Sequence, residues 1–290
     1  MSASRSVAPT RVARTVRGPF VARRVRVAGR CVTAAARLSA ASLDERLLGV
    51  LALERIMIES VRDHQTVVAA LARFVREHTR PAVGGRRHGG PLSVTAVALP
   101  PADVQAAVTA LGRRPRRPEH LRLDLHGADL RGANLVGARL RDANLSRADL
   151  RDATLFEAYL PDATLFQAQL ENANLGWAQL QRADLGGALL EHAYLRGARL
   201  PAARMAGARL GYANLRGARL HGAFLADAQL QHANLAGAQL QHANLAGAQL
   251  QHANLAGAQL QHANLAGAHV QRANLAGAQF QHANLAGALP

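Results

Sequence analysis

Histidine, arginine and the carboxylates are the side chains with chemistry to offer here, and their spacing limits what that chemistry is. Five histidines recur at intervals of twenty, His232 with His252 and His242 with His262 and His282. Zinc or copper can bridge paired imidazoles, but the adjoining positions supply neither carboxylate nor thiol, so these ladders are read as metal-free. Protonation of histidine, ordinarily near pH ~6.5, would set such rungs repelling one another. Six arginines, Arg196, Arg199, Arg204, Arg209, Arg216 and Arg219, lie between Glu191 and Asp227 with no acid among them. Unneutralised guanidinium groups at this density suit an acidic protein surface or a phosphate. Nucleic-acid platforms add stacking aromatics, and only Tyr194 and Tyr212 stand nearby. Catalytic constellations are missing: no glycine-rich phosphate loop precedes a helix, no His-Glu-x-x-His occurs, and no Ser-His-Asp set can be argued. No cofactor is expected, and the chain reads as a non-enzyme.

The elements that must position these groups divide the chain unevenly. All 35 basic residues are arginine, against 19 acids, for a net charge of +16. Residues 1–120 hold 21 arginines and 8 acids, whereas 121–290 hold 14 and 11. The single Cys31 rules out an internal disulfide framework. No apolar run approaches the ~18–20 residues of a membrane span, and a cytoplasmic location is expected.

Residues 1–41 read as a disordered Arg-rich segment, since Arg mixed with Val, Ala, Ser and Gly buries too little apolar surface to offset its ordering entropy. Its roles as a solvated tail, an arm for nucleic acid or an anionic surface, or a targeting segment stay open. Residues 42–80 read as a helical hairpin. Its first helix carries Leu47, Leu48, Leu51, Ile56 and Met57; its second carries Val67, Val68, Leu71, Phe74 and Val75, with Asp63 as N-cap. Pro81 and paired glycines open a linker, 81–120, with a short helix over 103–111. The hairpin is too little chain for a robust core of its own.

From residue 121 to 290 a period of five governs. Every fifth position from Leu125 to Leu285 is large and apolar, 33 in all, and each is Leu except Met205, Val270 and Phe280. Alanine stands two residues earlier in each unit, from Ala128 to Ala288, and Asn or Asp often falls between. Five residues drift around an α-helix of 3.6 per turn and swap faces on a strand of period two. A short extended stretch followed by a corner puts Ala and Leu on one inward side. Such units bury their faces only by stacking, as in a solenoid.

Tandem Ala-(Asp/Asn)-Leu-x-x resembles the pentapeptide-repeat family, over 170 of the 290 residues. The resemblance implies a β-solenoid, a right-handed quadrilateral parallel β-helix with twenty residues per coil. The units then make about eight coils and a rod of roughly 40 Å. Residues 52–56, 74–77 and 103–107 also resemble the helical leader of such proteins from high-GC bacteria. On this fold Phe156, Phe166 and Trp177 point outward, where they either cover a helix docked from the leader or mark a contact surface. From Gln231 the unit becomes a near-identical decapeptide, so opposite sides become alike.

The function expected first is a scaffold presenting a rigid rod to a protein partner, with the Arg belt and the three aromatics as candidate contacts. Binding of nucleic acid or an anionic surface through residues 1–41 is the alternative. Some members of the family protect DNA gyrase because a strongly acidic rod imitates duplex DNA, a role that fits an Arg-belted rod poorly. An open final coil exposing Leu285 and Leu289 points to end-to-end homodimers.

Overall fold

The computed structural model describes residues 29–79 and 99–289. The expectations for residues 1–28 and 80–98 lie outside these residues.

Each repeat forms one side of a four-sided parallel coil. The residue before each Leu pairs with the residue twenty positions on, from Asp124 with Asn144 to His269 with Leu289. Leu125 N–H donates to the Asn144 carbonyl at 2.8 Å, and Asn144 N–H to the Leu123 carbonyl at 2.8 Å. Each corner closes through a bond such as Ala128 N–H to the Leu125 carbonyl, 3.2 Å. The fifth residue of every unit has positive φ, for example Gly127 at 63°, Trp177 at 58° and His232 at 60°. Positive φ at the second central residue alone is the type II pattern.

This backbone accounts for the repeat motif. Four of the five N–H groups donate to other backbone groups, and the one left over follows the Leu. Where Asn or Asp precedes the Leu, its Oδ1 accepts that proton: Ala236 N–H to Asn234 at 3.1 Å, Gly186 N–H to Asp184 at 3.0 Å. Such local side-chain acceptors substitute for a backbone partner. Pro161 and Pro201 occupy the same position, where proline loses nothing because no ladder bond is needed. The Ala and Leu columns are buried from Leu123 to Ala268.

Four helices precede the coil: α1 from the first described residue, 29, to 37, α2 Leu43–Glu59, α3 His64–Thr79 and α4 Ala102–Arg113. The α1 helix corrects the reading of 1–41 as disordered throughout. Ala34 and Leu38 are buried, the backbone of Ala34 lying close to Gly49 of α2. A composition count dominated by arginine missed this small apolar face because its burial needs a partner helix. Asp63 precedes α3; its carbonyl accepts Val67 N–H at 2.9 Å, while its carboxylate takes the Ser60 hydroxyl at 2.6 Å.

The helices are not a separate body. Val50, Leu53, Leu71, Phe74, Val104, Val108 and Leu111 join the coil interior in one continuous core from Ala34 to Ala268. They also close the open hydrogen-bonding edge of the first coil. Asp129 N–H donates to Thr79 Oγ1 at 3.1 Å, Asn134 N–H to Gln105 Oε1 at 2.9 Å, and Arg139 N–H to the Gly112 carbonyl at 2.9 Å. In later coils the corresponding N–H groups reach the coil below. At Gly112 a Cβ would sit 2.9 Å from that of Ala138, so α4 approaches this closely only through glycine. The leader therefore caps the end of the rod and does not cover Phe156, Phe166 or Trp177.

Candidate interaction surface

The four sides are named here by their first Leu: Leu125, Leu130, Leu135 and Leu140. On the lower coils charge is internally balanced. Arg131 donates to Asp129 and Arg151 to Asp149, each with Nη2–Oδ2 at 2.5 Å, and Arg182 reaches Asp162 at 2.7 Å. Burial alone would raise the Asp129 carboxyl, but its bonds to Arg131 hold it below the usual range. Asp162 is lowered chiefly by its bond to Arg182. The carboxyl of Glu171 goes the other way, pushed up by burial and by the charge of Glu191.

The arginine belt is different. Its six members are exposed and encircle all four sides: Arg204 on the first, Arg209 on the second, Arg196 and Arg216 on the third, Arg199 and Arg219 on the fourth. Arg209 pairs with Glu191 at 2.6 Å. Among the described residues the other five form no ion pair. Arg199 and Arg219 are bridge partners on consecutive coils, and Arg196 and Arg216 are likewise one coil apart. Like charges held at strand spacing repel and favour an anionic contact from outside.

The aromatics divide between opposite sides. Phe166 stands on the first side against Gly186, while Phe156 and Trp177 share the third and lie against Gly176 and Gly197. A Cβ on Gly197 would come within 2.7 Å of the indole. The third side adds two residues that sequence reasoning did not single out as sites, Val136 at 52% exposure and Tyr194 at 56%, beside Trp177 at 54%. Counting in twenties from Leu135 would have found them. Side three thus presents Val136, Phe156, Trp177 and Tyr194, with the exposed carboxylate of Glu157 between Phe156 and Trp177, and ends in Arg196 and Arg216, which form no ion pair among the described residues. Aromatic residues and arginine are the types enriched at interface hot spots.

Two ring ladders climb opposite corners. His242, His262 and His282 stack at 4.9 Å. The second ladder is longer than the histidine count implied: His192, Tyr212, His232 and His252 stack at 5.1, 4.6 and 4.7 Å. Among the described residues no three His, Cys, Asp or Glu side chains converge as they would on a metal, and no helix is long and apolar enough to cross a membrane. At the far end Leu275, Leu285 and Leu289 are exposed.

Eight copies of the pentapeptide repeats family match the chain, over residues 124–160, 148–187, 183–222, 223–260 and 253–289. No curated protein matches the sequence. Among solved structures, the chain is similar to HetL, a pentapeptide repeat protein involved in heterocyst differentiation regulation from the cyanobacterium Nostoc. Identity is 36% over 57% of this chain and 82% of that one, with a TM-score of 0.32. A pentapeptide repeat protein of the Arabidopsis thaliana thylakoid lumen is 30% identical over 29% of this chain and 59% of its own, with a TM-score of 0.29. A trypsin-treated variant of QnrB1, a plasmid-mediated fluoroquinolone resistance protein, is 23% identical over 56% and 76%, with a TM-score of 0.32. With the repeat profile matched from residue 124 to 289 and the four-sided coil that the repeats build, the chain belongs to the pentapeptide-repeat family, whose members fold as right-handed quadrilateral β-helices.

Proposed function

We propose that this protein is a non-enzymatic scaffold that binds a protein partner through the third side of its rod. The supporting observation is the strip from Val136 to Arg216. It sets large exposed aromatics on a rigid backbone and places next to them Arg196 and Arg216, which form no ion pair among the described residues. Rigid aromatics lose little entropy on binding, and unpaired guanidinium groups select a partner with an acidic rim around an apolar patch. The convex exterior of the coil favours binding over catalysis. Affinity capture tests the reading. The full chain is expected to retain one stoichiometric protein, lost with Trp177→Ala or with Arg196→Glu and Arg216→Glu together. Retention unchanged by all of these substitutions would refute it.

Nucleic-acid binding is a second reading, supported by nine arginines and no acid in the first forty residues. Salt-sensitive retention on DNA, lost on deleting residues 1–40, is its expected signature. Imitation of DNA toward gyrase requires a strongly acidic rod, and 14 arginines against 11 acids over residues 121–290 make a poor imitation. Excess protein is expected to leave gyrase supercoiling unchanged. We further propose that two copies of the 290-residue chain pair end to end. Exposed Leu275, Leu285 and Leu289 support this, as do the N–H groups of Leu275, Phe280 and Leu285, which have no backbone acceptor among the described residues.

A further inference from the structure

A cleft of about 680 Å³ opens where the linker after α4 crosses the fourth side of the first two coils. One wall is the segment from Arg114 to Arg122; the other is built from Arg139, Arg141, Asp142 and Tyr159. Six guanidinium groups line it against two carboxylates. The carboxylates are already committed. Glu119 takes Arg114 Nε at 2.7 Å and Nη2 at 3.2 Å and faces His64 Nε2 at 3.0 Å, while Asp142 lies 3.4 Å from Arg141. Arg117 is fixed by donation to the Met57, Ser60 and Ile58 carbonyls at 2.7, 2.8 and 2.6 Å. These bonds, with Pro115 and Pro118, hold the linker wall in place before any ligand arrives. Arg116 and Arg122 have no hydrogen bond or ion pair among the described residues, and both are exposed.

From this arrangement we infer that the cleft is a binding site for a small ligand with adjacent phosphate groups, an oligophosphate either free or carried on a nucleoside. The inference is independent of the protein-binding reading, since it concerns the fourth side and the linker. Three features select this ligand class. The volume falls in the range of about 300–1,000 Å³ typical of small-ligand sites. Guanidinium forks match phosphate oxygens two at a time, so two arginines without ion pairs among the described residues, Arg116 and Arg122, beside walls held by the bonds of Arg114 and Arg117, favour linked phosphates over one carboxylate. The cleft lining holds one phenol ring, Tyr159, and the imidazole of His120, which suits a single base and not the successive stacking of a nucleic-acid strand.

Titration calorimetry on the full chain in about 0.15 M salt, where long-range attraction is screened, tests the site with sodium pyrophosphate, ADP and inorganic phosphate. One site per chain is expected, with pyrophosphate at least roughly tenfold tighter than inorganic phosphate. Arg116→Glu with Arg122→Glu is expected to weaken binding by about tenfold or more, whereas Arg216→Glu with Arg219→Glu, the same charge change on the belt, costs less than about threefold. Circular dichroism of each variant checks the fold. Tighter binding of ADP, lost with Tyr159→Ala, identifies a nucleotide; equal binding of the two identifies the free oligophosphate. Absence of heat at about 1 mM pyrophosphate, an affinity too weak for a formed site, or equal weakening by belt and cleft variants, would overturn the proposal.

Discussion

The fifth residue of each repeat bears the main local cost of the fold. Fourteen of the 33 are glycine, and the other nineteen hold a side chain in the left-handed region. Such a conformation costs an L-residue about 1–2 kcal/mol. Ala202, at φ 55°, is exposed, so its methyl buries little surface to offset this. Ala202→Gly is therefore expected to stabilise the protein by about 1 kcal/mol, read as a higher denaturant midpoint. Gly197→Ala should act oppositely, by at least about 1 kcal/mol, because it combines the left-handed strain with a clash against Trp177. The single tryptophan reports the displacement as a change in its emission maximum. At Glu171 the folded protein disfavours the charge, because burial and Glu191 raise its carboxyl. The penalty is present at neutral pH and vanishes once the pH falls below the unfolded value of 4.5, where both states are protonated. Glu171→Gln should raise the melting midpoint at pH 7 and leave it unchanged near pH 4.

At the scale of elements, the helices act as the coil's missing neighbour. Gly112→Ala puts a methyl against Ala138 across the α4–coil contact, where relief requires α4 to move away. A loss of about 1–3 kcal/mol is expected, as for overpacking elsewhere. Faster hydrogen exchange at Asn134 and Arg139, whose N–H groups donate to α4, distinguishes cap detachment from general destabilisation. Glu119 ties the linker to α3. Burial alone would raise its carboxyl, but bonds from Arg114 and His64 hold it below the ordinary value of 4.5. A depressed carboxylate contributes stability in full above its unfolded value, and that contribution is lost as pH falls through the folded one. Acidification below about pH 4 should loosen the cap first, and Glu119→Gln should remove this acid step while lowering stability at pH 7. The existence of α2, α3 and α4 was legible from apolar spacing. Their role as a cap was not, because nothing in local periodicity says which surface a helix face will meet.

For the 290-residue chain, the decisive contrast is between its first and its last described coil. The helices cover the first coil, while the last coil presents Leu275, Leu285 and Leu289 at 37%, 48% and 48% exposure. Light scattering at micromolar concentration is expected to give twice the chain mass of 30.7 kDa. Leu285→Arg should return the protein to a monomer, because a buried charge facing its own copy costs far more than a self-complementary apolar contact gains.

In the amino-acid sequence alone, the period of five determined the inward Ala and Leu columns and the need to stack, because Ala and Leu two residues apart share one side of an extended stretch. The twenty-residue turn was implied by the family resemblance and is set by the pairing of each outward residue with the one twenty positions on. The period of five also placed Arg196 to Arg219 and the three aromatics on the outside. Which of them share a side was calculable only after the coil count was fixed. Tertiary structure alone decided what lies between distant segments: the helices on the first coil, the burial of Ala34 and Leu38, and the arginine cleft between the linker and the fourth side. Periodicity reports a residue's relation to its own element, whereas a cap or a cleft is set by contacts between elements, which no local spacing encodes.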